Sequence, residues 1–330
     1  MDNNINTFCC LHGIEPPLNR ERITSGRNSE VWRLFNPKGQ WILKNYHQNP
    51  GDLRDRLGTE FRFLSFLMEH KLTCVPKPIG MDTQRHCALY SFLPGERPRQ
   101  ITERHIRRAA CFIREINLYR HEESAKRLPL ASDSCFSVRD HLDLVNKRIE
   151  GLSLSLTNLE IQNKANSFVH EQLIPAWENL KKRITEGLSS VEINSPMDRT
   201  SWILSPSDFG FHNTLEHGEE LYFFDFEYAG WDDPAKLICD FVCQPEIPVN
   251  RTHAELFVNE LINDFPEGES FIRRVRLLLP GHRLKWCCIL LNEFLPVNLQ
   301  RRLHAGRNDK NLLSEQLEKA KDYFNRHNIN

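Results

Sequence analysis

Hydrophobic and polar positions alternate with a period of two from about residue 30. Glu30-Val31-Trp32-Arg33-Leu34-Phe35 alternates, Pro37-Lys38-Gly39 turns, and Gln40-Trp41-Ile42-Leu43-Lys44-Asn45-Tyr46 alternates again, which predicts a β-hairpin. Strand character begins near Ile23, whereas residues 1–20 are weakly patterned and end in Pro16-Pro17. The period then changes. Leu53, Leu57, Phe61, Leu64 and Leu67 recur at helical spacing, so residues 51–70 are expected to form a helix with Asp52 as its N-cap. Pro76-Lys77-Pro78 interrupts the chain, residues 87–93 read as a strand, and Pro94-Gly95 reads as a linker. Strand, strand, helix and strand together make a small α+β unit.

Beyond Pro98 the three- and four-residue spacing of helices dominates. Helices are expected over 103–119, 137–151, 164–186, 234–243, 253–264, 269–279, 281–295 and 311–326. Residues 201–230 interrupt the series. Trp202-Ile203-Leu204 and Leu221-Tyr222-Phe223-Phe224 are short strands, expected to flank one hairpin loop. The chain is therefore divided into an N-terminal lobe, residues 1–94, and a helical C-terminal lobe, residues 95–330. The expected class is α+β and bilobal, with a small β-rich first lobe and a mainly helical second one.

Composition narrows the function classes. A length of 330 residues suits two lobes better than one small core. The net charge of −1 supplies no global field for nucleic acid or an anionic membrane, and neither is expected as a partner. No apolar run approaches the length of a transmembrane helix. Met1-Asp2-Asn3-Asn4 lacks the basic-then-apolar order of a signal peptide. The ten cysteines include no repeated C-x-x-C pair, so reduced, mostly buried thiols in a cytoplasmic protein are expected.

The candidate chemistry lies in the interrupting segment. Asp208 and Asn213 are five residues apart, and Asp225 follows twelve later inside the aromatic run Phe223-Phe224-Asp225-Phe226-Glu227. Phosphoryl transfer needs one carboxylate to orient an attacking hydroxyl, and oxygen ligands to hold Mg²⁺ against the phosphates of ATP. Asp208 suits the first task; Asn213 and Asp225 suit the second. Singly, Asp208 could cap a turn and Asn213 could tolerate unusual dihedrals. Asp225 is harder to dismiss, because a carboxylate among aromatics is costly to hide without a partner.

The first half offers matching parts. Gly26, Arg27, Asn28 and Ser29 join two predicted strands, and small polar residues there let backbone N–H groups approach a polyanion. Most such loops are only turns. Lys44 ends an apolar strand, and Glu60 lies sixteen residues later in the predicted helix. Each could simply reach solvent, but together they suggest an ion pair that holds the lysine against phosphate.

These residues resemble the aminoglycoside phosphotransferase and choline kinase superfamily, the small-molecule relatives of protein kinases. Leu204 to Asn213 looks like that family's catalytic loop, and Phe224 to Gly230 followed by Asp233-Pro234 looks like its metal-binding segment. Leu89 to Gly95 resembles the linker between lobes, and the resemblance implies that the backbone at Ser91 and Leu93 bonds the adenine. The implied fold is protein-kinase-like and the implied cofactors are ATP and Mg²⁺. Two positions depart from the pattern. The family usually has histidine two residues before the aspartate, where this chain has Pro206, and often two residues after it, where this chain has Gly210. His212 stands beside Asn213 instead.

The acceptor is read from residues 281–295, where His282, Arg283, Lys285, Trp286, Asn292 and Glu293 punctuate an apolar helix. Lys285 and Asn292, seven apart, would share a face. Glu227, Trp231, Lys285, Asn292 and Glu293 are the candidate substrate contacts. Mixed basic and amide groups suit a sugar or other hydroxylated small molecule, bound by a monomer or homodimer. Three other readings stay open: a catalytically silent kinase-like binding module, an aminoglycoside- or choline-type kinase, and a kinase acting on protein. The last lacks support, because Asp233-Pro234 follows Asp225 too closely for a long activation segment.

Overall fold

The structure, a computed structural model, describes residues 2–23, 29–48, 52, 54–153, 160–265, 268–299 and 311–329. The first lobe is built on an antiparallel sheet of five strands: β1 (Asn19–Ile23), β2 (Ser29–Asn36), β3 (Gly39–Tyr46), β4 (Pro78–Asp82) and β5 (Cys87–Ser91), in the order β1-β2-β3-β5-β4. The predicted hairpin is β2–β3, with Val31 opposite Lys44.

Alternation along β3 sorts its side chains to two faces. Leu43 turns outward to a small core of Phe8, Cys9, Ile14, Leu34, Cys87 and Leu89, while Tyr46 joins the main core. Ile42 and Lys44 line the cleft between the lobes. The outward core is completed by helix α1 (Asp2–Leu11), which residues 1–20 were not expected to form. Ile5, Phe8 and Cys9, three and four residues apart, were its signal.

Helix α2 (Arg56–Glu69) covers the inner face. It starts later than the sequence suggests. Its N-cap is Asp55, whose carboxylate accepts from Gly58 N at 2.9 Å, and Asp52 instead pairs with Arg54 and Arg56. Leu57, Glu60, Leu64 and Leu67 lie at spacings of three and four and are all buried, so Glu60 occupies a position on the apolar stripe.

The second lobe is helical. It runs through α3 (Glu103–Leu118), α4 (Glu123–Lys126), α5 (Val138–Ser153), α6 (Glu160–Phe168), α7 (Ile174–Thr185), α8 (Ser190–Asn194), α9 (Pro234–Cys243), α10 (Arg251–Leu261), α11 (Glu269–Leu290) and α12 (Leu312–Arg326). A wide turn at Val169–Leu173 joins α6 to α7. The two helices expected over 269–279 and 281–295 are one, with Pro280 inside it, and that helix ends before Asn292. Asn292–Phe294 form a short 3₁₀ turn, so the shared helical face expected for Lys285 and Asn292 does not exist. No described helix is long and apolar enough to cross a membrane.

The expected single hairpin is instead two nested ribbons. β6 (Ile203–Ser205) pairs with β9 (Gly230–Asp232), and inside it β7 (Thr214–His217) pairs with β8 (Glu220–Phe223). Trp202–Leu204 and Leu221–Phe224 are therefore not partners. The two connections between outer and inner ribbon, residues 206–213 and 224–229, lie side by side.

Candidate active site

Nesting brings the expected residues together. Asp208 and Asn213 belong to the first connection, Asp225 to the second, and all three line the interlobe cleft of about 790 Å³. Within the first connection, Asn213 Nδ2 donates to the Asp208 carbonyl at 3.0 Å, which turns the amide oxygen the other way. His212 Nε2 lies 3.2 Å from Asp208 Oδ1. Phe209, Phe211, Phe223 and Phe226 are buried and stack on or abut Phe112 and Phe241, which anchors both connections.

In the two connections, two non-glycine residues have left-handed backbone: Ser207 at φ 66° and Asp225 at φ 70°. Such conformations cost about 1–3 kcal/mol each and persist only where the surroundings impose them. Each sits at or beside a carboxylate that the cleft requires.

Lys44 crosses from the sheet to meet these loops. Its Nζ lies 2.6 Å from Glu60 Oε2, 2.6 Å from Asp225 Oδ1 and 3.4 Å from Glu227 Oε2. Burial alone would push this ammonium down, but Asp225, Glu60 and Glu227 outweigh it and hold the group well above its ordinary value. Glu60 is 3% exposed and braced by Tyr46 OH at 2.6 Å and by the Phe226 N–H at 3.2 Å. The ion pair foreseen between Lys44 and Glu60 is present, and Asp225 shares it. Glu227, 1% exposed, accepts from Ser29 Oγ at 3.4 Å and lies 4.0 Å from Arg56 Nε. Expected as a substrate contact, it lines the cleft within the group around Lys44.

One ammonium thus faces three carboxylates, whose oxygens lie within 4.8 Å of one another. Burial, reinforced by Glu227 and Glu60 against the pull of Lys44, pushes Asp225 up to about 7. This excess of negative charge suits one more cation. Carboxylate and amide oxygens are the donor set of a hard divalent ion, so Asp225 and Asn213 fit that role.

Where the linker leaves the sheet, Ser91 and Leu93 line the cleft with Ile23, Val31, Ile42, Tyr90 and Phe92. Ser91 Oγ accepts from Lys77 N at 2.8 Å. The chain then passes Gly95, at φ 105°, where a Cβ would stand 2.3 Å from the Glu216 carbonyl oxygen. Only glycine satisfies both demands. Gly26, Arg27 and Asn28 lie outside the described residues.

The far end of the cleft is lined by Asp133, Arg148, Lys236, Asp240, Lys285 and Trp286, with Asn292 and Glu293 beside them. Lys285, Asn292 and Glu293 thus line the cleft. Trp231 does not line the cleft: in β9 its indole points into the core and donates to the Ala125 carbonyl at 3.1 Å. Asp133, Arg148, Lys236 and Asp240 were not foreseen as lining residues. Asp133 and Arg148 come from a loop and a helix far from the motifs, and only their ion pair across fifteen residues hints at a shared role.

Residues 19–243 match the model of the phosphotransferase enzyme family. The chain belongs to that family. Solved structures agree on the fold. A spectinomycin phosphotransferase, crystallised with ADP and spectinomycin, is 13% identical with a TM-score of 0.62, over 98% of this chain and 93% of that one. Choline kinase from Cryptosporidium parvum Iowa II is 12% identical with a TM-score of 0.56, over 100% and 98%. A third phosphotransferase, solved as a streptomycin–ATP ternary complex, is 15% identical with a TM-score of 0.58, over 87% and 89%. No curated protein sequence matches the chain. This phosphotransferase therefore has the bilobal α+β architecture of the kinase-like enzymes.

Proposed function

We propose that this phosphotransferase moves the γ-phosphate of ATP to a hydroxyl of a small molecule. The observation that carries the reading is the nesting of the ribbons, which aims Asp208, Asn213 and Asp225 into one cleft beneath Lys44 and Glu60. We divide the chain after residue 94, with nucleotide held by the first lobe and acceptor by the second.

Asp208 accepts a hydrogen bond from the acceptor hydroxyl and aligns its oxygen on the γ-phosphorus. That oxygen bonds to phosphorus, the bond from phosphorus to the β–γ bridging oxygen breaks, and ADP leaves. The hydroxyl proton passes to the Asp208 carboxylate and then to solvent. In a loose transition state, alignment matters more than basicity. Lys44, fixed by Glu60, neutralises the α- and β-phosphates, and Ser29 lines the cleft beside it. Ser91 and Leu93 offer backbone groups to the base. Bound Mg²⁺ would be held by Asn213 and Asp225 and would supply further neutralisation of phosphate charge.

For the acceptor, balance of charge is the guide. Arg148, Lys236 and Lys285 stand against Asp133, Asp240 and Glu293 along the far wall. A cationic acceptor such as choline favours acidic and aromatic linings. Alternating donors and acceptors of no net charge favour a hydroxylated acceptor such as a sugar, with Lys285, Asn292 and Glu293 as contacts.

The test is a metabolite-pool screen with ATP and Mg²⁺, reading phosphorylated products by mass spectrometry. Asp208→Asn should retain nucleotide and lower turnover by about a hundredfold or more. Full turnover in that variant would remove Asp208 from the mechanism, and a wild-type protein that binds but never turns over ATP is a silent binding module.

A further inference from the structure

We infer that His212 is a positioning residue that holds the carboxylate of Asp208 through a hydrogen bond from Nε2–H. The inference rests on the reading of Asp208 as the hydroxyl-orienting group.

The backbone of the loop is already fixed. Asp208 N donates to the Pro206 carbonyl at 3.0 Å, Asn213 N donates to the Gly210 carbonyl at 3.0 Å, and Asn213 Nδ2 reaches the Asp208 carbonyl at 3.0 Å. None of these restrains the Asp208 side chain, which lines the cleft and keeps a third of its surface exposed. The contact from His212 Nε2 to Oδ1, at 3.2 Å, does.

The ring itself is held. His212 sits on the 3₁₀ turn Phe211–Asn213 and is 6% exposed. A Cβ on Gly210 would stand 2.9 Å from His212 Nδ1 and 3.1 Å from Cε1, so the ring lies flat against a backbone with no side chain. Residue 210 has extended backbone, so the demand for glycine there is steric alone.

The same burial selects the tautomer. Nδ1 is buried with no hydrogen-bond partner among the described residues. A proton on Nδ1 would be an unsatisfied buried donor, and would leave the Nε2 lone pair facing a carboxylate oxygen. With the proton on Nε2 the only bare atom is a ring lone pair, which is the cheaper loss. His212 therefore acts as a fixed donor and takes no part in moving the proton. A fixed donor on Oδ1 narrows the rotation of the carboxylate, which favours alignment of a hydroxyl.

The acceptor being unidentified, the kinetic probe is Mg·ATP turnover with water as acceptor, on the full chain. His212→Leu removes the donor and fills the space; His212→Gln carries an amide N–H of similar reach. His212→Leu should lower kcat about tenfold to a hundredfold with KM for ATP unchanged, and His212→Gln should recover most of the loss. Equal losses in both variants, or a raised KM with kcat intact, would overturn the proposal.

A second measurement does not depend on turnover. In ¹⁵N-histidine-labelled protein, the wild-type His212 signals should show the Nε2–H tautomer and should shift in Asp208→Ala. An Nδ1–H tautomer, or signals indifferent to Asp208→Ala, would sink the contact itself. If Asp208→Asn turns over like wild type while the spectra behave as expected, the contact stands and the catalytic reading fails.

Discussion

Lys44 meets three carboxylates beneath the sheet, whereas Lys236 and Lys285 at the other end of the cleft share two. Lys236 Nζ lies 2.8 Å from Asp232 and 3.3 Å from Asp240, and Lys285 also bonds Asp240, as do His282 and Trp286 Nε1. Burial would raise the Asp240 carboxyl, but Lys285, Lys236 and His282 outweigh it and hold it well below its ordinary value. In the Lys44 cluster burial, helped by Glu227 and Glu60, prevails over the lysine and raises Asp225 to about 7; at the far end burial also raises Asp232 against Lys236, so there only the shared Asp240 is lowered. Both clusters are buried and both centre on lysine. One is electrically complete, and the other lacks a cation. The complete cluster braces the far wall of the cleft and leaves it without net charge, and the incomplete one has room for a further cation.

The largest effect should come from breaking the complete cluster. Asp240→Ala leaves two buried ammonium groups with one carboxylate between them, and should cost about 3–5 kcal/mol of stability in urea unfolding. A loss below about 1 kcal/mol would show that the far wall is as tolerant as a surface, and would end the contrast. Next comes the incomplete cluster. Asp225→Ala should weaken Mg²⁺-dependent ATP binding by at least about a hundredfold, near 2.7 kcal/mol by calorimetry. Its stability without nucleotide should change by less than about 1 kcal/mol, because Glu60 and Glu227 still serve Lys44.

The smallest effect concerns Asp233, which ties the catalytic segment to the complete side. It caps α9 through Ala235 N at 2.7 Å, and its other oxygen meets His141 at 3.0 Å and Arg274 at 2.6 Å. Burial opposes ionisation there, yet His141 and Arg274 prevail and bring the carboxyl from 3.8 down to about 2. A lowered folded value gives stability that is fully present above the unfolded value and is lost as pH falls from about 4 towards 2. That part is worth roughly 2 kcal/mol. In Asp233→Asn the acid limb of the stability curve should flatten over that window. An unchanged acid limb would mean that Asp233 pairs equally well in the unfolded chain.

The sequence made the two lobes and most of the chemistry legible because periodicity and motif spacing are local properties. The β2–β3 hairpin, α9 and the cleft positions of Lys44, Asp208, Asn213 and Asp225 all follow from such signals. What stayed hidden depends on pairing between distant segments. Four short strands of three or four residues admit several pairings, and only tertiary packing chooses the nested one. Glu60 was legible only through its pairing with Lys44, because its charge masked its place on the apolar stripe. Trp231 looked like a substrate contact because an aromatic beside acids has no intrinsic direction, and its strand turns it inward. Asp52 looked like a cap because Asp55, three residues on, offers the same chemistry closer to the helix.

Just beyond Gly95 the chain is stitched to the inner ribbon: Glu96 N donates to the Glu216 carbonyl at 3.1 Å, and Glu216 N donates back at 2.7 Å. The last sheet residue before this clip is Ser91. Any rocking of the upper half over the lower must therefore be absorbed by the four residues in between, a pivot too short for wide swings. The halves are set to move like a hatch on a stiff strap, and the strap is riveted to the ribbon whose other end begins right after Asn213.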